Sequence, residues 1–131
     1  MMTDPISDML TRIRNAGIAR QAQTKCAFSK QKLAIAKVLE RAGFIGEVRT
    51  ESQDGHPALV MAIRYEDHGK PLIDGIRRVS KPGRRVYVGA REIWKVRNGL
   101  GISVISTSKG ILSDTDARNA AIGCEVVCEV W

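Results

Sequence analysis

Apolar residues return at helical spacing twice in the first third of the chain, then mostly alternate with polar ones. Ile6, Met9, Leu10, Ile13 and Ala16 form the first stripe. Asp4 supplies a capping oxygen before it, Pro5 suits a first turn, and Gly17 is the expected stop. Arg12, Arg14 and Asn15 fall off the stripe and read as a solvated face. A short strand over residues 23–28 leads to Ser29, a good N-cap. The second helix is expected over 30–42, burying Leu33, Ile35, Ala36, Val38 and Leu39 and ending at Gly43. Residues 44–50 and 57–65 then read as a hairpin around Gln53-Asp54-Gly55. The first half is therefore α-β-α-β-β.

The polar run Glu66-Asp67-His68-Gly69-Lys70-Pro71 marks a boundary between two expected lobes, 1–66 (α/β) and 67–131 (mainly β). Beyond it, strands are expected over 72–79 and 85–88, joined by the turn Lys81-Pro82-Gly83. A short helical or irregular piece over 90–98 precedes the bend Gly99-Leu100-Gly101 and a strand over 102–106. Ser113-Asp114-Thr115-Asp116 opens a small helix whose acids suit its positive end and whose Arg118 suits the other. Residues 123–131 alternate as a closing strand. The fold class is α+β.

One stretch does not fit a purely structural account. The β-branched strand ends in Ser106-Thr107-Ser108-Lys109-Gly110 before the chain turns apolar again. Short side chains that donate and accept hydrogen bonds suit close reading of a polar surface. Lys109 seeks phosphate, and Gly110 frees the backbone for a positive φ and a close approach.

Charge sharpens this reading. The net charge is +7, with 10 Lys+Arg against 8 Asp+Glu in residues 1–69 and 11 against 6 in 70–131. A polyanion is the expected partner, on the second half. Arg77, Arg78, Lys81, Arg84, Arg85, Arg91, Lys95 and Arg97 crowd one span in which Glu92 is the one acid. A self-supporting solvated face mixes signs, whereas a single-sign span fits phosphate neutralisation. Tyr87, in its midst, is placed to stack on a base or cover a sugar. Small hydroxyl side chains reach the 2′-hydroxyls and base edges of RNA's shallow minor groove, while a DNA major-groove reader leans on long arginines. RNA is favoured over DNA.

Other classes are poorly supported. Apolar runs such as Leu59-Val60-Met61-Ala62-Ile63 are too short to span a bilayer, and Met1-Met2-Thr3-Asp4-Pro5 lacks the features of a signal peptide. Three cysteines make no disulfide framework; Cys124 and Cys128, four apart in a strand, would lie roughly 13 Å from each other. Buried thiols at Cys26 and Cys128 and a reducing, cytoplasmic setting are expected. No phosphate-binding loop, His-Glu-x-x-His pattern or closely spaced metal-ligand set is present in the sequence. His56 and His68 fall in expected turns. A metal-dependent nuclease built on Asp114, Asp116 and His68 is the rival reading, but capping explains the two aspartates more cheaply. No cofactor or metal is expected.

Taken together, the motifs carry a resemblance. Ile105-Ser106-Thr107-Ser108-Lys109-Gly110, followed by Ser113-Asp114 and Ala117-Arg118, resembles the signature of the small-subunit ribosomal protein family conventionally numbered eight, in its bacterial form. The opening from Asp4 to Asn15, Arg78-Val79-Ser80-Lys81-Pro82-Gly83, Asn98-Gly99-Leu100-Gly101 and Glu125-Val126-Val127-Cys128 with Trp131 match it as well. The resemblance spans essentially the whole chain. It implies a non-catalytic protein with two lobes that binds the central domain of 16S ribosomal RNA early in 30S assembly. It further implies neighbours in the small-subunit proteins numbered five and twelve and, for some members, repression of their own operon through its messenger RNA. RNA contacts are implied at Ser106, Thr107, Ser108, Lys109 and Gly110, with Tyr87, Gly123 and Glu125 at matching positions nearby; Lys81, Arg84 and Arg85 are added from the charge pattern. The chain departs from the family pattern at Cys124 (commonly glycine), Trp94 (commonly proline), Arg97 (commonly apolar) and Glu129 (commonly aromatic).

Overall fold

A computed structural model describes residues 4–131. Met1, Met2 and Thr3, part of the opening read above as no signal peptide, lie outside the described residues. The chain forms two compact units, residues 4–74 and 75–131.

In the first unit, α1 (Pro5–Ile18) begins where the sequence placed it, with Asp4 Oδ1 accepting from the Ser7 amide at 3.1 Å. Gly17 does not stop it. The helix runs one residue further, and Gly17 is a buried helical position where a Cβ would sit 3.4 Å from Pro71. That is ordinary van der Waals distance, so the helix tolerates a glycine here without needing one. The strand β1 (Gln23–Ala27) leads to α2 (Lys30–Arg41), whose N-cap Ser29 accepts from the Lys32 amide at 3.1 Å. Ile35, Ala36, Val38 and Leu39 are buried as expected, but Leu33 is only half-buried and Lys32 is buried instead. A lysine stem covers apolar surface as readily as an aliphatic side chain.

The strands β2 (Ile45–Gln53) and β3 (His56–Ile63) meet at Asp54-Gly55, so His56 begins a strand and does not lie in the turn. Both turn residues take positive φ, +52° and +80°, the type I′ pattern whose twist matches the flanking strands. The sheet order is β1-β3-β2, all antiparallel, and central β3 has four consecutive buried residues from Ala58 to Met61. Met9, Ile35, Leu39, Ile45, Leu59 and Met61 are among its most buried side chains.

The second unit holds β4 (Ile76–Arg78), two short 3-10 turns at Ala90–Glu92 and Val96–Gly99, β5 (Ile102–Thr107), β6 (Gly110–Ser113), α3 (Asp114–Asn119) and β7 (Glu125–Val130). Its sheet order is β4-β7-β5-β6, again antiparallel. Three expectations change here. The strand over 72–79 shrinks to the three residues in ladder register with β7, although backbone bonds continue on either side, from Val79 N–H to Val127 O and between Gly75 and Trp131. Residues 85–88 run beside the start of β7 through Val126 N–H to Val86 O (2.9 Å) and Val88 N–H to Cys124 O (2.8 Å), yet form just one isolated bridge, Tyr87 with Glu125. The four-residue β6, unforeseen, completes a hairpin with β5. A core of Ile93, Ile105, Ala117 and Val126 lies beneath.

Helices on one sheet and a second, mainly β unit make the fold α+β. Among the described residues, no helix is long and apolar enough to cross a membrane.

Candidate nucleic-acid interface

The hydroxyl stretch forms the tip of the β5–β6 hairpin. Thr107 pairs with Gly110, leaving Ser108 and Lys109 as the two turn residues. Neither takes a positive φ; Gly110 does, at +104°. A Cβ built on Gly110 would meet nothing within 4 Å, so glycine answers a backbone requirement and not a packing one.

Thr107 holds this turn together. Its hydroxyl donates to Gly110 O at 2.7 Å and accepts from the Lys109 amide at 3.1 Å. A hydroxyl has one hydrogen to give and two lone pairs, so one lone pair remains for a ligand. Most of the Thr107 hydroxyl's bonding capacity is thus spent within the turn. Ser108 and Lys109 are exposed, and neither side chain bonds to any described residue. Ser106, half-buried, likewise has an uncommitted hydroxyl.

Backbone pairing brings three of the expected residues into a row. Glu125 is the register partner of Ser106 across β5–β7 and of Tyr87 through the isolated bridge. Directly opposed residues in antiparallel pairs present their side chains to one face, so Ser106, Glu125 and Tyr87 share a face. Tyr87 is 65% exposed, enough to lie against a ligand. Glu125 is tied to Arg85 at 2.9 Å. Gly123, by contrast, is dictated by the fold: a Cβ there would lie 2.3 Å from Val88 O and 2.7 Å from Ala90 N. Cys124 beside it is half-buried, with a free thiol.

The basic cluster is less uniform than its sequence. Arg77 faces Glu129 across β4–β7 and pairs with it at 2.8 Å, and Arg78 donates to Val127 O at 2.7 Å. Arg97 stacks over Trp131 at 4.4 Å. Glu92 is thus not the lone opposing acid; β7 delivers Glu125 and Glu129 from distant sequence. Lys81, Arg84, Arg91 and Lys95 remain without a side-chain partner among the described residues. The Lys81 and Arg84 backbones bond to each other at 2.8 and 2.9 Å around Pro82-Gly83. Buried Ser80 braces this loop, its Oγ accepting from the Val86 amide at 2.9 Å.

Of the groups with catalytic potential, Asp114 is taken up by the fold, whereas Asp116 and His68 are exposed. Asp114, 2% exposed, accepts from the Ser103 amide at 3.3 Å and from Arg118 Nη2 at 2.8 Å. Ser113, the residue before it, is the N-cap of α3, accepting from the Asp116 amide at 3.2 Å. His68 is exposed and lies 2.8 Å from Glu66. Cys26 and Cys128 are buried free thiols; burial pushes Cys26 up and Cys128 up to about 12, keeping both protonated and unreactive at neutral pH. Among the described residues, no three His, Cys, Asp or Glu gather as a metal site.

Sequence reasoning missed one participant in this neighbourhood. Trp94 donates its indole N–H to Glu129 Oε2 at 2.6 Å, a pairing of residues 35 apart with no local signal.

The family model described as "Ribosomal protein S8" matches residues 4–131. The small ribosomal subunit protein uS8 of Sorangium cellulosum is 51% identical over 131 residues, covering 100% of both chains. That of Nitratidesulfovibrio vulgaris (strain Miyazaki F) is 50% identical with the same coverage, and that of Opitutus terrae is 50% identical over 99% of this chain and 100% of its own.

Proposed function

The chain belongs to the ribosomal protein S8 family, and from that premise we propose that its β5–β6 turn anchors it to the central domain of 16S ribosomal RNA. As a family member it is a structural constituent of the small ribosomal subunit in the cytoplasm, is not an enzyme, and works among ribosomal RNA and ribosomal proteins. The finer reading rests on one observation. Ser108, Lys109 and Gly110 project from a turn that Thr107 holds closed, above the shared face of Ser106, Glu125 and Tyr87. Such a tip suits a distorted minor groove, where 2′-hydroxyls and base edges accept and donate within reach of short side chains. Lys81, Arg84, Arg91 and Lys95 supply the charge that holds the phosphates, with an affinity that falls as salt rises. Gly123, Glu125 and Arg85 support the contact by fixing the loop beside Tyr87.

On this reading the protein binds early in 30S assembly and orders RNA for later arrivals, with the small-subunit proteins numbered five and twelve as neighbours. A messenger RNA that reproduces the same groove would compete for the same tip, which is how the chain would repress its own operon. Footprinting on 16S RNA tests the core of the proposal. Protection is expected at a central-domain helix, with preference over a scrambled hairpin of equal length. Equal affinity for the two would overturn it.

A further inference from the structure

A cavity of about 410 Å³ opens in the second unit between β4 and the 80–86 loop, with Trp94 as one wall. Its size falls within the range of small-ligand pockets, roughly 300–1,000 Å³. Its walls differ in kind. Arg77 is neutralised by Glu129, and Arg78 is hydrogen-bonded to Val127 O. Lys81 and Arg84 on the loop have no side-chain partner among the described residues. The indole is aimed by Glu129, which is only 8% exposed, accepts from Trp94 Nε1–H at 2.6 Å and ion-pairs with Arg77 at 2.8 Å. With its polar atom held, Trp94 keeps 36% of its surface open. The result is an oriented aromatic ring across from two uncommitted cations.

We propose that this cavity receives one unpaired nucleotide of the bound RNA, its base against the Trp94 ring and its phosphate between Lys81 and Arg84. The proposal rests on the RNA-binding reading and adds a second point of contact to it. Aromatic side chains stack on any base, and cations beside them neutralise the backbone. An acidic peptide would satisfy the two cations and leave the ring without a role. Glu129 is a positioning residue here: it sets the indole plane and takes Arg77 out of the competition for phosphate.

The two indole N–H signals in a ¹H–¹⁵N correlation spectrum report on the site, Trp94 being assigned by its loss in Trp94→Phe. Tetraadenylate RNA and hexaglutamate serve as probes at matched salt, and the ribosomal helix is titrated in parallel. Tetraadenylate is expected to move the Trp94 signal and leave Trp131 in place. Trp94→Leu should then weaken tetraadenylate binding roughly tenfold. The double variant Lys81→Gln with Arg84→Gln, on an exposed loop, should weaken it also and guards against a folding artefact at Trp94. A Trp94 signal unmoved by tetraadenylate, or moved as readily by hexaglutamate, overturns the proposal. Continued binding of the ribosomal helix would then leave the anchoring reading standing, whereas loss of both would remove the two together.

Discussion

Each unit ends a hairpin in a two-residue turn, and the two turns solve the same problem differently. At β2–β3, Asp54 and Gly55 both take positive φ, which matches the strand twist but restricts the tip to residues that tolerate that conformation. At β5–β6 the positive φ is moved back to Gly110, after the turn. Ser108 and Lys109 are released from the backbone requirement, and the tip can carry side chains selected for contact. Thr107 supplies the cross-bracing that the I′ geometry supplies by itself. A turn that only connects spends its tip on conformation; a turn proposed for contact leaves that task to its flanks.

The sharpest way to break this contrast is to remove the displaced glycine. Gly110→Val forces a β-branched residue to φ near +104°, at a cost of about 2 kcal/mol, and affinity for the central-domain helix should fall roughly thirtyfold. Gly55→Ala should lower stability by about 1–2 kcal/mol and leave that affinity unchanged. Filter binding and thermal melts separate the two, and equal losses of affinity would erase the distinction. Next comes the brace. Thr107→Val removes both hydroxyl bonds and should cost about 1.5 kcal/mol, roughly tenfold in affinity, with faster hydrogen exchange at the Lys109 amide. Thr107→Ser should restore both; an unchanged exchange rate in the valine variant would show that the hydroxyl braces nothing. Smaller still is Ser108→Ala. It should cost about 1 kcal/mol of binding with no change in melting temperature, because the Ser108 side chain bonds to no described residue.

A separate, pH-dependent effect comes from the buried thiol in each unit. For Cys128 the folded value, about 12, exceeds the ordinary 9.0, so the fold holds this proton more tightly than the unfolded chain does. The stability it contributes is complete below pH 9 and drains away as pH rises toward 12. Cys26, in the other unit, shifts in the same direction for the same reason, burial. Alkaline melts of Cys128→Ala should lose less stability over that window than the parent; parallel curves would assign the loss elsewhere.

Locally encoded features were legible in the sequence. Asp4 and Ser29 cap their helices because the signal and the structure lie within four residues of each other. Asp54-Gly55 makes its turn for the same reason. What escaped was set at a distance. Residues 72–74 have the residue types of a strand, but backbone bonding to the β7 segment starts at Gly75, opposite Trp131, and the strand itself at Ile76. Glu125 and Glu129 neutralise Arg85 and Arg77 from 40 and more residues away, which no sequence window displays. At the candidate site, composition located the tip and the charge, yet not that Thr107 is committed to the turn or that Trp94 faces a cavity. Gly17 misled because one glycine inside a helix costs only about 1 kcal/mol, too little to end a helix whose apolar face is buried.

The strand order β4-β7-β5-β6 has a consequence for biosynthesis. Of these four strands β7 is the last to be translated, yet it lies between two made earlier. While it is still being polymerised, β4 and β5 have open edges and the nascent hairpin has no platform to aim it. A chain whose elongation stalls before Glu125 would carry Ser108 and Lys109 without the frame that orients them. On the proposed RNA-binding reading, the contact surface would mature only after that stretch has emerged, and the topology would act as a checkpoint on the completeness of each copy offered for assembly.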